Sequence, residues 1–171
     1  MTASAVLRGG LLTGGLLTGG LLAGGLLAAG ATRPAPAVEL TTADGAVVRT
    51  ADYRGRIVLI DFWASWCPPC KTSFPALDAL YRSYRPRGVE VLAVNLDEQR
   101  KDADAFLAAH PHVMPVLFSP KGDAPTAFAI RGMPSSVLID RGGNIRFTHM
   151  GYSAKVLDSY RDEINLLLEE R

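Results

Sequence analysis

The chain has 171 residues, long enough for one domain with its own core plus an appendage. Its 18 Lys and Arg nearly balance 17 Asp and Glu, and no basic stripe stands out, which argues against a nucleic-acid or polyanion binder. Two cysteines with two residues between them are too few for a disulfide scaffold or a four-ligand structural zinc site.

After Arg8, residues 9–32 carry no charge and hold their leucines in a five-residue repeat, LLTGG-LLTGG-LLAGG-LLAAG. A basic start followed by an apolar run has the pattern of an export signal. Three readings of residues 1–31 stay open. One is a cleaved signal peptide, with small-x-small sites at Ala29-Gly30-Ala31 and Ala35-Pro36-Ala37. Another is a retained membrane anchor, since a helix over residues 9–32 would span about 36 Å. The third is a Gly/Leu low-complexity tail. The first two place the rest of the chain outside the cytoplasm, in the periplasm or cell envelope, with membrane attachment through residues 9–31 in the anchored case. Residues 32–37 read as a Pro/Ala linker and 38–171 as the folded domain.

Val38–Leu40 and Ala46–Arg49 flank Ala43-Asp44-Gly45, a hairpin signal. Ile57–Trp63 (IVLIDFW) is an apolar run with one acid, the mark of a strand buried on both faces. Pro68 to about Arg85 predicts a helix, kinked at Pro75 and stopped by Pro86 and Gly88. Val89–Leu96 reads as a second central strand, Asp102–His110 as a helix, Val116–Phe118 as a strand and Ala124–Ile130 as a short helix. Ser136–Ile139 and Asn144–Met150 enclose Arg141-Gly142-Gly143, a second hairpin. Ala154–Glu170 is an amphipathic helix with Val156, Leu157, Tyr160, Ile164, Leu167 and Leu168 on its apolar face. Two βαβ units followed by an antiparallel hairpin predict an α/β fold with a central mixed β-sheet flanked by helices on both faces.

Cys67-Pro68-Pro69-Cys70 joins a buried strand to a helix. Cys67 falls at the N-cap, and the two prolines occupy helical positions whose N–H groups have no intrahelical partner. A thiol there feels the positive end of the helix dipole, which favours thiolate. Cys67 is therefore the expected nucleophile and Cys70, one turn in and more buried, the resolving thiol of a dithiol–disulfide cycle. A purely structural bond would close too short a loop to stabilise much. Trp66, next to Cys67, is expected to shield the pair and form part of a docking surface. His110, His112 and His149 sit in unrelated contexts, so no metal is expected, and nothing calls for a cofactor.

The segment Asp61-Phe62-Trp63-Ala64-Ser65-Trp66-Cys67-Pro68-Pro69-Cys70-Lys71 resembles the thioredoxin active-site strand–turn–helix. Arg131-Gly132-Met133-Pro134 before SSVLID resembles the Gly-x-Pro that precedes that fold's next strand. Together with VEVLAVNLDE, PVLFSP and GGNIRFTHMG in this order, residues 38–171 resemble the TlpA/ResA branch of exported thioredoxin-like proteins, which includes members acting in cytochrome c maturation. The resemblance implies a thioredoxin-like fold with an inserted α-β segment at about Arg100–Pro125. It implies a redox pair at Cys67 and Cys70, and a cis proline at Pro134 facing it, which leaves the Met133 backbone free to pair with an extended substrate. Asp61 stands where thioredoxins keep a buried acid and TlpA/ResA relatives more often have Asn, and the thioredoxin match implies that it can relay a proton to Cys70. Two further positions depart from the pattern. Ala93 stands where thioredoxin has a lysine near its acid, and Ser73 where many ResA-like members have Glu.

The leading expectation is a monomeric exported reductase, fed by a membrane thiol electron carrier, acting on client proteins with disulfides or dithiols, with apocytochrome c as one candidate client. An exported oxidase would use the same pair in reverse. A binding module with incidental cysteines is the remaining alternative.

Overall fold

The computed structural model describes residues 32–119 and 121–170, so the segment 1–31 lies outside the described residues. The elements run β1 (Arg33–Pro34), β2 (Glu39–Thr41), β3 (Val47–Arg49), β4 (Ile57–Trp63), α1 (Pro68–Tyr84), β5 (Val89–Asn95), α2 (Arg100–Ala109), β6 (Val116–Phe118), α3 (Ala124–Ala127), β7 (Ser135–Ile139), β8 (Asn144–Met150) and α4 (Ala154–Glu169), with one-turn 3-10 segments at Thr50–Tyr53 and Arg85–Arg87. The strands form one mixed sheet in the order β1-β8-β7-β4-β5-β6-β2-β3. β4, β5 and β6 are parallel, while β7 runs antiparallel to β4 and β8 to β7.

Every residue of β4 is buried, Asp61 included, as a run with a single acid requires of a strand covered on both sides. Its alternating side chains feed two cores. Ile57, Leu59 and Trp63 face α1, α2 and α4 through Phe74, Leu77, Ala103, Phe106, Tyr160, Ile164 and Leu167. Val58, Ile60 and Phe62 pack on the other face with Val38, Leu40, Ala124 and Phe128. Helices thus cover both faces unequally. The three long ones share one side, and the short α3 serves the other together with residues from the amino-terminal hairpin.

Two details differ from the sequence reading. Residues 32–37 include β1, whose Arg33 and Pro34 pair with Ile145 and Asn144 of β8, so this stretch closes one sheet edge. α3 ends at Ala127, because Ala129 adopts φ 57° and the following residues leave helical geometry. α1 is continuous through Pro75 and, as the sequence predicts, stops at the Arg85–Arg87 turn that contains Pro86 and is closed by Gly88 at φ 82°. The inserted α2–β6 segment extends the sheet beyond β5, and the amino-terminal hairpin hangs on it, with Thr41 opposite Phe118.

One buried charge ties this insertion down. Asp78 of α1 accepts the Val113 and Met114 N–H groups at 2.7 and 2.8 Å and Arg82 Nε at 2.8 Å. Burial works to raise its pKa, but the two backbone donors and the Arg82 guanidinium outweigh it and hold the carboxyl below its ordinary value. A carboxyl with a lowered folded pKa contributes stability that is complete above its unfolded value, about 3.9, and is lost as pH falls through the folded value. Asp78→Ala should therefore cost about 2 kcal/mol in urea unfolding at neutral pH, with the difference from the parent vanishing in acid.

Candidate active site

β4 delivers the chain to the carboxyl edge of the parallel strands, where α/β folds place their chemistry. The turn after Trp63 is fixed from the neighbouring strand. The Leu96 N–H donates to Trp63 O at 2.8 Å. Asp97 accepts the Ser65 N–H with both carboxylate oxygens, at 3.1 and 3.0 Å, and Ser65 Oγ at 3.0 Å. Asn95 Nδ2 donates to the same carboxylate at 2.8 Å. The sequence reading passed over Asp97 and Asn95. Their one signal was Asn-x-Asp at the carboxyl end of a central strand.

Cys67 is the N-cap of α1, with Pro68 and Pro69 at the next two positions. Its Sγ accepts the Cys70 N–H at 3.3 Å. Cys67 and Cys70 form a disulfide, Cα to Cα 5.3 Å. Cys67 is 3% exposed and Cys70 fully buried, so the difference in access is small while the bond is closed. Trp66 stands beside them, 64% exposed, at the rim of a groove lined by Leu96, Asp97, Glu98, Gln99 and Asp102.

The Met133–Pro134 peptide bond is cis. Pro134 directly precedes β7, whose Ser135 pairs with Phe62 of β4, so the proline and the cysteine turn leave the same end of the sheet. Met133 packs against the core cluster that contains both cysteines. Pro134 O accepts the Gly151 N–H at 2.8 Å, which joins this loop to the end of β8.

Asp61 lies between Ala93 on β5 and Ser136 on β7, on the sheet face it shares with Leu59 and Trp63. It is 1% exposed, and its Oδ2 has no hydrogen-bond partner. Desolvation pushes its pKa well above the ordinary carboxylate value, and Ala93 offers no cation to reverse this. The Trp63 Nε1–H is also buried without a partner.

The histidines do not join the cysteines. His110 stacks on Phe106 at 3.8 Å between centroids, His112 meets Phe74 edge-on, and His149 pairs with Glu163. Among the described residues no group of three or more His, Cys, Asp or Glu is placed to hold a metal ion.

A family model described as Redoxin matches residues 29–164. The chain belongs to the Redoxin family. Within that setting it is 32% identical over 112 residues to the thiol-disulfide oxidoreductase ResA of Geobacillus thermodenitrificans, covering 66% of this chain and 64% of the relative. The alignment thus spans just under two thirds of that curated relative. A Chlorobium tepidum protein assigned as the thiol:disulfide interchange protein DsbE superposes with TM-score 0.76 at 39% identity, covering 80% of this chain and 96% of that one. The exposed lipoprotein thioredoxin of Streptococcus pneumoniae superposes with TM-score 0.68 at 28% identity, over 77% of this chain and 100% of that one. The redoxin architecture here is thioredoxin-like, with the TlpA/ResA type of insertion.

Because Asp97 holds the Ser65 N–H through a charge-assisted bond, Asp97→Ala should lower stability by about 1.5–3 kcal/mol. Amide exchange at Ser65 should accelerate at the same time, while exchange in the central strands changes only through the global loss of stability.

Proposed function

We propose that this chain is an exported thiol–disulfide oxidoreductase that works reductively on disulfide-bearing extracytoplasmic proteins. The observation that carries the reading is the Cys67–Cys70 disulfide at the amino terminus of α1. In the reduced protein the Cys67 thiolate attacks a client disulfide, forming a mixed disulfide and releasing one client thiolate. Cys70 then attacks Cys67 Sγ, the client leaves as its second thiolate, and the protein holds both electron equivalents' worth of oxidation as the Cys67–Cys70 bond. A membrane thiol carrier returning two electrons to that bond completes the cycle.

The two prolines support the reducing direction. A helix start offers unpaired N–H groups to a thiolate, but Pro68 and Pro69 have none. The Cys67 sulfur has one backbone donor from this turn, Cys70 N–H. Fewer donors stabilise the thiolate less, so the reduced form gains less and the pair sits toward the reducing end of its range.

Extracytoplasmic location rests on the basic start and apolar run before residue 32. Apocytochrome c is one client class within this reading, supported by the TlpA/ResA resemblance. Met133 and Pro134 supply the backbone edge against which an extended client would lie, with Trp66 beside it. Asp61 takes the proton of Cys70 as that thiol attacks.

Removing the resolving thiol tests the cycle. Cys70→Ser should accumulate a mixed disulfide between Cys67 and insulin, visible on non-reducing gels and released by dithiothreitol. Cys67→Ser should form none. Insulin reduction by the parent should be lost in both. Equal trapping by both variants, or undiminished insulin reduction, would contradict the assigned roles.

A further inference from the structure

Asp61 has an unusual neighbour on the side away from Ala93. In register with it across the β4–β7 ladder is Ser136, fully buried, whose Oγ donates to Tyr160 Oη at 2.7 Å. Directly opposed residues of an antiparallel pair bring their Cβ atoms to about 4.5–5.5 Å on one sheet face. Asp61 and the Ser136–Tyr160 pair therefore form a polar island inside an otherwise apolar layer, among Leu59, Trp63, Leu138 and Ile164. Two hydroxyls buried there are costly unless their second hydrogen-bonding capacity is used.

A hydroxyl has one donor and two acceptor sites, and a serine re-aims it by rotation about χ1 without movement of the backbone. In the oxidised chain the Ser136 hydroxyl donates to Tyr160 Oη, no hydrogen bond joins Ser136 to Asp61, and Asp61 Oδ2 is left unpartnered, the arrangement suited to a neutral carboxyl. Once Asp61 must carry charge, a turn of Ser136 about χ1 brings its O–H to the carboxylate, with the Tyr160 O–H donating to Ser136 Oγ.

We propose that Ser136 and Tyr160 are positioning residues for Asp61: a reversible hydroxyl pair that turns to stabilise its carboxylate, in the place of the missing cation at Ala93, while Cys70 gives up its proton. This rests on the reading of Asp61 as the proton acceptor. The balance is simple. The Cys70 S–H proton moves to Asp61, the Cys70 sulfur bonds to Cys67 Sγ, and the Cys67–client bond breaks with its electron pair leaving on the client sulfur.

The surroundings leave few competing groups. β5 presents Ala93 to Asp61, β7 presents Ser136, α4 presents Tyr160, and α1 brings Cys70 to this core, with Tyr81 influenced instead by Glu90. Tyr160 meets the His149 ring edge-on at 5.1 Å, and His149 bonds Glu163 at 2.8 Å, both side chains 17% exposed. Burial keeps the Tyr160 phenol protonated, opposed by its Ser136 bond and reinforced by Asp61, Glu163 and Tyr152. Tyr160 is thus a durable donor throughout the neutral range.

The test follows the Cys70 step alone. Reduced full-length chain is mixed with one equivalent of dithiobis(nitrobenzoate). The second thionitrobenzoate released reports Cys70 attacking the Cys67 mixed disulfide, and its rate is recorded against pH. Loss of a donor to a carboxylate raises its pKa, so Ser136→Ala should move the midpoint up by about one pH unit. Tyr160→Phe should move it the same way by less, and Ser136→Thr should restore the parent profile. In an Asp61→Asn background, itself with a slowed and flattened profile, Ser136→Ala should have no further effect. If Asp61→Asn changes the profile while Ser136→Ala and Tyr160→Phe leave the midpoint in place, the pair only packs and the proposal fails. If Asp61→Asn leaves the profile unchanged, the reading of Asp61 fails and takes the proposal with it.

Discussion

The site depends on one junction, where a strand buried on both faces passes through a short turn into the amino terminus of a helix. β4 cannot shift without exposing apolar side chains on both of its surfaces, because Val58, Ile60 and Phe62 fill one core while Leu59 and Trp63 fill the other. The Cys67 N-cap is therefore set by the packing of the whole sheet. Phe74 and Leu77 root the other end of the junction by anchoring α1 in the same core as Trp63. Asp97 closes the turn between them through Ser65. A sulfur held in this way meets the helix dipole and the Cys70 N–H without local rearrangement, which is what a nucleophilic thiol needs.

Behind the cysteines the chemistry is one of deprivation. Two prolines withhold backbone donors from Cys67, and Ala93 withholds a cation from Asp61. The first biases the pair toward reduction in the proposed function. The second leaves a buried acid that burial alone would keep protonated, with the Ser136–Tyr160 hydroxyls as the polar groups in register beside it. Asp78 shows the contrast. It is also buried, yet two backbone N–H groups and Arg82 keep it ionised, and its role is to clamp the inserted segment to α1.

Much of this was legible in the sequence because it is local. The run IVLIDFW, the prolines at the helix start and the Gly-x-Pro before SSVLID each carry their meaning within a few residues, and they locate β4, α1, the cysteine pair and the loop of Met133 and Pro134. What was not legible is long-range and polar. Asp97 meets Ser65 across 32 positions, and Asp78 meets Val113 and Met114 across 35 and 36. No periodicity marks such pairs. Ser136 and Tyr160 were read as strand and apolar-face residues, since each fits its element and only the fold brings their hydroxyls together. The strand at Arg33–Pro34 escaped because a Pro/Ala stretch has the composition of a linker, and its pairing is supplied by the exposed edge of β8.

The most direct test of the account is the reduction potential of the Cys67–Cys70 pair, measured by equilibration in glutathione and dithiothreitol buffers. The scarcity of donors to the Cys67 thiolate predicts a value near that of thioredoxin, about −270 mV. A value near that of a strong oxidant, about −120 mV, would contradict the reducing direction and make the chain a disulfide donor.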